Sequence, residues 1–265
     1  MPSDNPTAIR VVQITDTHLG HHEGDSLLSL DADMSLGLVL QHMHDERGYS
    51  DVMLATGDIS NCGSIESYNR FANLTSGLAQ HSLWLPGNHD LPDVMSQARG
   101  GELQKSLQVG NWLIIMLDST ARGEVGGSFT ERELAYLADQ LATTTAEHVL
   151  VCLHHHPVKC GCDWLDQQLV SNADSFFEIL DGSDKVRAVL WGHIHQEIDR
   201  QRKGVRLLAT PSSCVQFKPG SEDFKLDENS PGFRWLELYA DGRIDTAVSR
   251  IDTVFELDYK SSSGY

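Results

Sequence analysis

Short apolar runs rich in β-branched residues alternate with helical patterns along this chain, and this alternation constrains the fold more than any other feature. Six runs predict buried β-strands, at 9–14, 52–55, 82–85, 112–117, 149–153 and 186–191. Strands that alternate with helices are typical of layered α/β architecture. The sequence therefore predicts an α/β fold.

Helical patterns lie between the predicted strands. Apolar positions recur at the spacing of an amphipathic helix over about 33–47, and a second such stretch contains Ile65 and Tyr68. Thr130 followed by Glu133 fits a capping box, which predicts that a helix begins there. Asn172 is predicted to cap a shorter helix.

The C-terminal part, about 204–255, is predicted to be mostly sheet. It contains apolar runs at 205–209, 233–239 and 244–251, and the dipeptide Asp241-Gly242 favours a hairpin turn between the last two. The chain has 265 residues, a length that one core of about 250 to 300 residues can still accommodate. We predict a single domain over 1–265, with a flexible tail at about 258–265.

Composition limits the partners and the compartment. A formal net charge of -18 disfavours a nucleic-acid polymer, because binding along a polyanion requires a basic face. The densest basic cluster, at 200–203, is interpreted as a solvated turn. No apolar stretch approaches the roughly 18 residues of a membrane span. Five cysteines without a repeating framework, and no secretory signal pattern at the start, predict a reduced cytoplasmic protein; the oligomeric state is left open.

Cys160-Gly161-Cys162 is a C-x-C sequence with two interpretations. It could bind a soft metal or form a redox pair, but it has no second half elsewhere in the chain. The interpretation as ordinary loop thiols is favoured.

Fragments rich in Asp, Asn and His follow five of the apolar runs. Four stand directly after a predicted strand and the fifth follows Pro86, so all can meet at the edge of the sheet where open α/β proteins bind ligands. Residues two apart on an extended segment point the same way, so the first and last fragments can each aim two ligands at one point. Together the five fragments offer enough oxygen and nitrogen ligands for two metal ions, which predicts a two-metal hydrolytic site. The fragments are Asp16-Thr17-His18, Gly57-Asp58, Gly87-Asn88-His89-Asp90, His155-His156-Pro157 and Gly192-His193-Ile194-His195.

This order of motifs resembles the calcineurin-like metallophosphoesterase superfamily over about 11–195. Within it, the chain is most similar to the bacterial 3',5'-cyclic-AMP phosphodiesterases of class III. The narrower similarity lies in the strings at 153–157, 161–166, 192–197 and 209–219. The resemblance implies a four-layer α/β/β/α sandwich of two packed mixed β-sheets flanked by helices.

The resemblance also implies two metal sites. The first would be formed by Asp16, His18, Asp58 and His195. The second would share Asp58 and add Asn88, His155 and His193. His155 is chosen from the three consecutive histidines by an H-x-P pattern; His154 is expected to end the strand and His156 to face the substrate.

The chemistry expected of this ligand set is phosphodiester hydrolysis. Two divalent ions, two aspartates and one bridging hydroxide leave one positive charge, which attracts a phosphodiester monoanion. Our hypothesis is in-line attack on phosphorus by the bridging hydroxide, with His89 as the general acid and Asp90 orienting His89. The expected substrate contacts are His18, Asp58, Asn88, His89 and His195.

We expect 3',5'-cyclic AMP as the small-molecule substrate and 5'-AMP as the product. The alternatives are a broader phosphoesterase that acts on glycerophosphodiesters, 2',3'-cyclic nucleotides or aryl phosphates, and a non-catalytic metal-binding scaffold. Mixed carboxylate, amide and imidazole ligands suit Mn, Fe, Co or Zn, and the resemblance implies Fe or Mn. Asn61 is expected either to contact substrate or to mark the start of a helix.

Overall fold

A computed structural model describes residues 8–260 and gives the chain a mixed α/β fold. Five α-helices are described: α1 (Ala32–Arg47), α2 (Ile65–Leu74), α3 (Pro92–Ala98), α4 (Glu131–Thr143) and α5 (Ala173–Asp181). The described strands are β1 (Ile9–Ile14), β2 (Ser26–Leu27), β3 (Leu30–Asp31), β4 (Ser50–Thr56), β5 (Ala79–Leu85), β6 (Ser106–Val109), β7 (Trp112–Met116), β8 (His148–Cys152), β9 (Val186–Trp191), β10 (Ile198–Arg202), β11 (Val205–Ala209), β12 (Gly232–Leu238) and β13 (Ile244–Arg250).

Most described strands belong to two mixed sheets. The first has the order β13-β12-β1-β4-β5, and the second has the order β10-β11-β9-β8-β7-β6. Parallel pairs occupy one end of the first sheet, where β1 pairs with β4 and β4 with β5. In the second sheet they occupy the middle, where β7 pairs with β8, β8 with β9, and β9 with β11. Consequently, the carboxyl ends of the parallel strands within each sheet lie along a common edge.

The packing of the strands defines four layers. Val11, Val52 and Ile114 belong to one apolar cluster drawn from both sheets, which is the core between them. Their neighbours Val12 and Met53 face the other way and join a cluster that includes helix residues. Because side chains alternate along a strand, each sheet is covered by the other sheet on one face and by helices on the opposite face. The predicted α/β/β/α sandwich is confirmed.

Local signals explain where two of the helices begin. Asp31 accepts a hydrogen bond from the amide of Met34, which caps α1. Thr130 accepts one from the amide of Glu133, so the predicted capping box position is confirmed as the start of α4. Asn172 precedes α5 as predicted, but its side chain makes no cap bond and instead pairs with the backbone of Phe129.

The C-terminal strands complete the first sheet. β12 pairs with β1 in antiparallel fashion, and β13 adds to β12, as expected for the β-rich segment. This pairing supports the single-domain organisation, which stays a prediction. Asp258 donates its amide proton to the carbonyl of Leu28; the rest of the predicted tail, 261–265, lies outside the described residues.

Several elements differ from expectation. α3, β6 and the two-residue strands β2 and β3 carry no strong periodic signal and are not predicted from the sequence. The basic cluster at 200–203 is mostly strand, because β10 pairs with β11 through Arg202, and only Lys203 with Gly204 forms the turn. A strand at the sheet edge with exposed Asp199, Arg200 and Gln201 has little apolar content, so it looks like a loop in the sequence.

Candidate dinuclear metal centre

Backbone hydrogen bonds join the predicted site fragments where the parallel strands end. The amide of Asp16 donates to the carbonyl of Gly57 at 3.0 Å, and the amide of His18 donates to the carbonyl of Asp58 at 3.0 Å. The amide of His193 reaches both carboxylate oxygens of Asp16 at 3.1 Å. The first, second and fifth fragments therefore meet at the common edge.

Asp16, His18 and His195, together with Asp58, form what we term the first half-site. The Nε2 atoms of His18 and His195 lie 3.2 Å apart, and His195 Nε2 lies 3.3 Å from Asp16 Oδ1. All four side chains are buried. Asp16, His18 and His195 each offer a ligand atom, and these atoms lie within 4.8 Å of one another.

Asp58 lies between two groups of ligands. Its Oδ1 accepts the amide proton of His89 at 2.9 Å. Its Oδ2 lies 3.9 Å from His18 Nε2 and 3.3 Å from His154 Nε2. This oxygen has no hydrogen-bond partner among residues 8–260. A buried carboxylate oxygen of this kind, flanked by imidazoles, suits a position between two cations.

Asn88, His154 and His193, again with Asp58, form what we term the second half-site. His154 Nε2 lies 3.2 Å from Asn88 Oδ1, and its Nδ1 donates to the carbonyl of Thr56 at 2.8 Å. The ring of His193 lies 5.1 Å from that of His154. A backbone carbonyl at Nδ1 fixes the imidazole so that Nε2 faces the ligands, an arrangement common around protein metal sites.

His154 takes the position that the H-x-P pattern predicted for His155. Both ring nitrogens of His155 have other contacts, since Nδ1 lies 2.9 Å from Ser119 Oγ and Nε2 lies 3.1 Å from the carbonyl of Val125. His155 does lie near His154 and His193, but it supports the cluster from the side. The contacts of the three histidines therefore favour His154 over the sequence-based choice of His155.

His156 also differs from expectation. Its side chain is completely buried and stacks against the ring of His193 at 5.6 Å, with an angle of 20° between the planes. It lies behind the second half-site and cannot face a substrate.

Five ligand residues have left-handed backbone conformations. Their φ angles are 53° for Asp16, 47° for His18, 48° for Asp58, 64° for His193 and 49° for His195. Such conformations cost about 1 to 3 kcal/mol each in residues other than glycine and concentrate at functional sites. The two-residue spacing of Asp16 with His18, and of His193 with His195, suggested extended segments. The structure shows that both segments are tightly turned.

Two glycines allow carboxylates to pack against the backbone. A Cβ atom on Gly87 would overlap the Asp58 carboxylate, and one on Gly192 would overlap the Asp16 carboxylate. The absence of a side chain at these two positions therefore makes room for the carboxylates.

Asp90 does not contact the imidazole of His89. Its Oδ2 accepts hydrogen bonds from the amides of Gly87 and Ile59. Its Oδ1 accepts hydrogen bonds from the amide of Ser60 and from the hydroxyl of Tyr68. The predicted role of Asp90 in orienting His89 is therefore corrected. Its buried carboxylate joins the loop at Ile59 and Ser60 to the turn at Gly87.

Asn61 is the residue that holds His89. The backbone carbonyl of Asn61 lies 3.3 Å from His89 Nδ1, while its side-chain Oδ1 lies 3.3 Å from His18 Nδ1. A carbonyl can only accept, so a hydrogen bond here requires the proton to be on Nδ1 of His89. Asn61 thus positions one residue of the first half-site and the candidate acid together.

Burial and mutual charge set the protonation of the cluster. Burial lowers the pKa of His18 to about 3. Burial and the neighbouring His155 hold the pKa of His193 well below its usual value. Burial alone would raise the pKa of Asp58, but His154 outweighs it and the pKa lies well below the usual range. Asp58 in turn raises the pKa of His154 to about 9 against the effect of burial. Binding of a cation would displace the proton on His154.

The ligand set fits divalent metal ions. Both ring nitrogens of His193, as well as Asp58 Oδ2, are buried without a hydrogen-bond partner in the described part of the chain. Buried polar atoms normally have hydrogen-bond partners, so buried nitrogen and oxygen atoms without one are suited to coordinate a metal ion. Neutral imidazoles, an amide oxygen and carboxylates are the ligands that first-row divalent ions accept.

An open cavity adjoins the first half-site. It has a volume of about 420 Å³ and is lined by residues that include His18, His21, Asn61 and Cys62. Ligand pockets for small molecules typically measure about 300 to 1,000 Å³. The cavity could therefore receive a nucleotide-sized ligand beside the metal ligands.

Comparison with known proteins defines the class. The family model of the calcineurin-like phosphoesterases matches residues 9–197. The chain therefore belongs to the calcineurin-like phosphoesterases. A structure titled a dimetal phosphatase from Danio rerio superposes with a TM-score of 0.62 at 16% identity, covering 93% of this chain and 99% of that one. That likeness concerns the fold.

Two relatives that are more similar in sequence are named as phosphodiesterases of cyclic nucleotides. The 3',5'-cyclic adenosine monophosphate phosphodiesterase CpdA of Pseudomonas aeruginosa is 44% identical over 261 residues, which cover 97% of this chain and 96% of that protein. The 3',5'-cyclic-nucleotide phosphodiesterase alr5338 of Nostoc sp. is 36% identical over 246 residues, or 92% of each chain. The similarity spans nearly the whole chain, including the C-terminal sheet segment beyond the family match.

Proposed function

We propose that this protein is a metal-dependent phosphodiesterase that hydrolyses 3',5'-cyclic AMP to 5'-AMP. The observation that carries the proposal is the pair of half-sites that share Asp58, whose buried Oδ2 lies between His18 and His154 beside an open cavity. The names of relatives 36% to 44% identical over nearly the full chain support the substrate.

The metal ligands are assigned by half-site. One ion would be held by Asp16, His18, Asp58 and His195, and the other by Asp58, Asn88, His154 and His193. Bound divalent ions, with Mn or Fe expected and Zn or Co possible, supply an activated water nucleophile and neutralise charge on the phosphoryl group. Two carboxylates and one neutral amide leave a loaded site with positive charge, which suits a phosphodiester monoanion.

His89 acts as the general acid in this proposal. Its Nδ1 faces the carbonyl of Asn61, so the protonated ring presents Nε2–H to the departing 3'-oxygen. The partly exposed position of His89, at the rim of the buried cluster, lets it recover a proton from solvent. His18, Asp58, Asn88 and His195 are the other residues proposed to border the reacting phosphate.

Metal reconstitution with a panel of substrates tests the function. Metal-stripped protein is reloaded with Mn²⁺, and kcat/KM is measured for cyclic AMP, cyclic GMP, 2',3'-cyclic AMP and a simple aryl diester, with EDTA as the control. We expect metal-dependent turnover with cyclic AMP preferred. Preference for the aryl diester by orders of magnitude would favour a broader phosphoesterase, and absence of turnover with every metal would favour a scaffold.

The cellular setting is part of the proposal. All five cysteines are free thiols, which agrees with a reducing compartment such as the cytoplasm. Within the described residues, no helix is long and apolar enough to cross a membrane. The acidic net charge of -18 supports a small substrate over a nucleic-acid polymer.

A further inference from the structure

We propose that His156, Cys160 and Asp166 form a third metal site, separate from the two half-sites, which takes one Zn²⁺ ion. These three side chains offer a nitrogen, a sulfur and an oxygen ligand atom, all within 4.8 Å of one another. None of them belongs to the proposed catalytic ligands. We term them the thiol site.

The unpartnered imidazole of His156 is the first observation that points to a ligand. His156 is 0% exposed, and neither ring nitrogen makes a hydrogen bond of ordinary geometry within residues 8–260, although the backbone of Leu165 lies near the ring. Its Nε2 lies 3.9 Å from Asp166 Oδ1, which is too long for a hydrogen bond. A buried imidazole that faces a carboxylate across this gap is what a site for a cation between them requires.

The separations of the ligand atoms match a tetrahedral ion. Bonds of about 2.0 to 2.3 Å to zinc place neighbouring tetrahedral ligands about 3.3 to 3.8 Å apart. Cys160 Sγ lies 3.2 Å from Asp166 Oδ1, and His156 Nε2 lies 3.9 Å from the same oxygen. Both separations lie within a few tenths of an ångström of the zinc-ligand range, and the third, between His156 and Cys160, is at most 4.8 Å. Three protein ligands leave a fourth position for water.

The charge of the thiol site selects a divalent ion with affinity for sulfur. A thiolate and a carboxylate carry two negative charges, and a neutral imidazole adds none, so one divalent ion makes the site neutral. On binding, the Cys160 thiol releases the proton that it now donates to Asp166. The mixture of sulfur, nitrogen and oxygen ligands favours Zn²⁺ over Mn²⁺ or Mg²⁺.

The loop that holds the thiol site is fixed in place. Asp166 accepts amide protons from Cys160 at 2.7 Å and from Gly161 at 3.3 Å. Arg200 donates to the carbonyls of Lys159 and Cys160 at 3.0 and 3.4 Å. The partner of Cys160 is thus Asp166 and not Cys162, whose thiol instead contacts Ser221.

The thiol site contacts the second half-site through His156. The ring of His156 stacks on His193 at 5.6 Å. An ion bound to His156 would hold this ring toward Asp166 and so fix the surface against which His193 packs.

Cobalt substitution tests the thiol site independently of turnover. Metal-stripped full-length protein is titrated with Co²⁺, and the near-ultraviolet thiolate-to-cobalt charge-transfer band is recorded. The proposed catalytic ligands include no thiolate, so this band reports the thiol site alone. We expect one thiolate-bound Co²⁺ per chain, and Zn²⁺ should displace it and abolish the band.

Matched variants identify the sulfur. Cys160→Ala and Cys160→Ser should both lose the band, whereas Cys162→Ser, two residues away in the same loop, should retain it. His156→Gln should weaken Co²⁺ binding by more than about 100-fold, since even outer-shell partners of metal ligands cost about 10- to 100-fold. Circular dichroism confirms that each variant is folded. A wild-type protein without the band, or a band that survives in folded Cys160→Ala, overturns the proposal.

Discussion

The two half-sites share Asp58 but differ in how the protein holds their other ligands. In the first, His195 donates from Nδ1 to the carbonyl of Val215 at 2.7 Å, and its ring stacks on Phe217 at 4.1 Å. In the second, neither nitrogen of His193 has a partner among the described residues. The first half-site is oriented by protein contacts, whereas the second needs an ion to complete it. We infer that the first binds its ion more tightly.

Asp58→Asn should produce the largest loss because it weakens both half-sites at once. One bound ion is worth several kcal/mol of transition-state stabilisation, and each 1.36 kcal/mol is a factor of ten in rate. We expect kcat/KM for cyclic AMP to fall by more than about 10⁴-fold, with loss of bound metal measured on the same samples.

Asp118→Asn is the control for Asp58→Asn. Asp118 follows β7 at the neighbouring strand end, but its carboxylate accepts hydrogen bonds from the amide and hydroxyl of Thr120. It should keep most of the activity. Equal losses in the two variants would remove the special role of Asp58.

His154→Ala and His155→Ala separate the two candidate ligands of the second half-site. His154→Ala should lower kcat/KM by about 10³-fold and release one ion, because it removes a direct ligand. His155→Ala should lose less than about tenfold, below the effect of typical outer-shell partners. Activity and metal content per chain are measured together, and the reverse order would restore the sequence-based choice of His155.

His89→Ala removes the proposed acid but none of the proposed metal ligands, although the His89 ring packs edge-on against His18 at 5.0 Å. A general acid contributes about 10² to 10⁴ in rate, so we expect a loss of at least about 10²-fold in kcat/KM for cyclic AMP. An aryl diester needs no protonation of its leaving group, and its hydrolysis should be affected much less. Similar losses on both substrates would contradict the acid role.

Asp90→Asn should affect stability more than chemistry. It weakens hydrogen bonds to a buried carboxylate, each worth about 1.5 to 3 kcal/mol when one partner is charged. We expect the free energy of unfolding in urea to fall by about 2 to 4 kcal/mol, while the pH dependence of kcat keeps its shape. A change in the shape of that pH profile would show that Asp90 does act on the His89 imidazole.

The sequence predicts the fold and the first half-site well, for a common physical reason. Strands such as β1 and β9 are buried on both faces, so their apolar runs have distinct ends. Asp16 and His195 stand just beyond such ends, where residue type alone indicates a ligand. β10 lacks this signal because most of its side chains are exposed.

The second half-site depends on details that no local pattern encodes. Three consecutive histidines cannot be told apart by residue type. Their contacts distinguish them, because His155 contacts Ser119 and His154 contacts the carbonyl of Thr56. Left-handed conformations at Asp and His are also invisible in the sequence, because these residues tolerate several backbone regions. Tertiary contacts decide both points.

Anomalous diffraction from crystals of the Mn²⁺-loaded protein tests the central claim most directly. We predict two manganese peaks per chain on either side of Asp58, one contacted by Asp16, His18 and His195, and the other by Asn88, His154 and His193. A single peak, or two peaks without Asp58 between them, would contradict the shared half-sites.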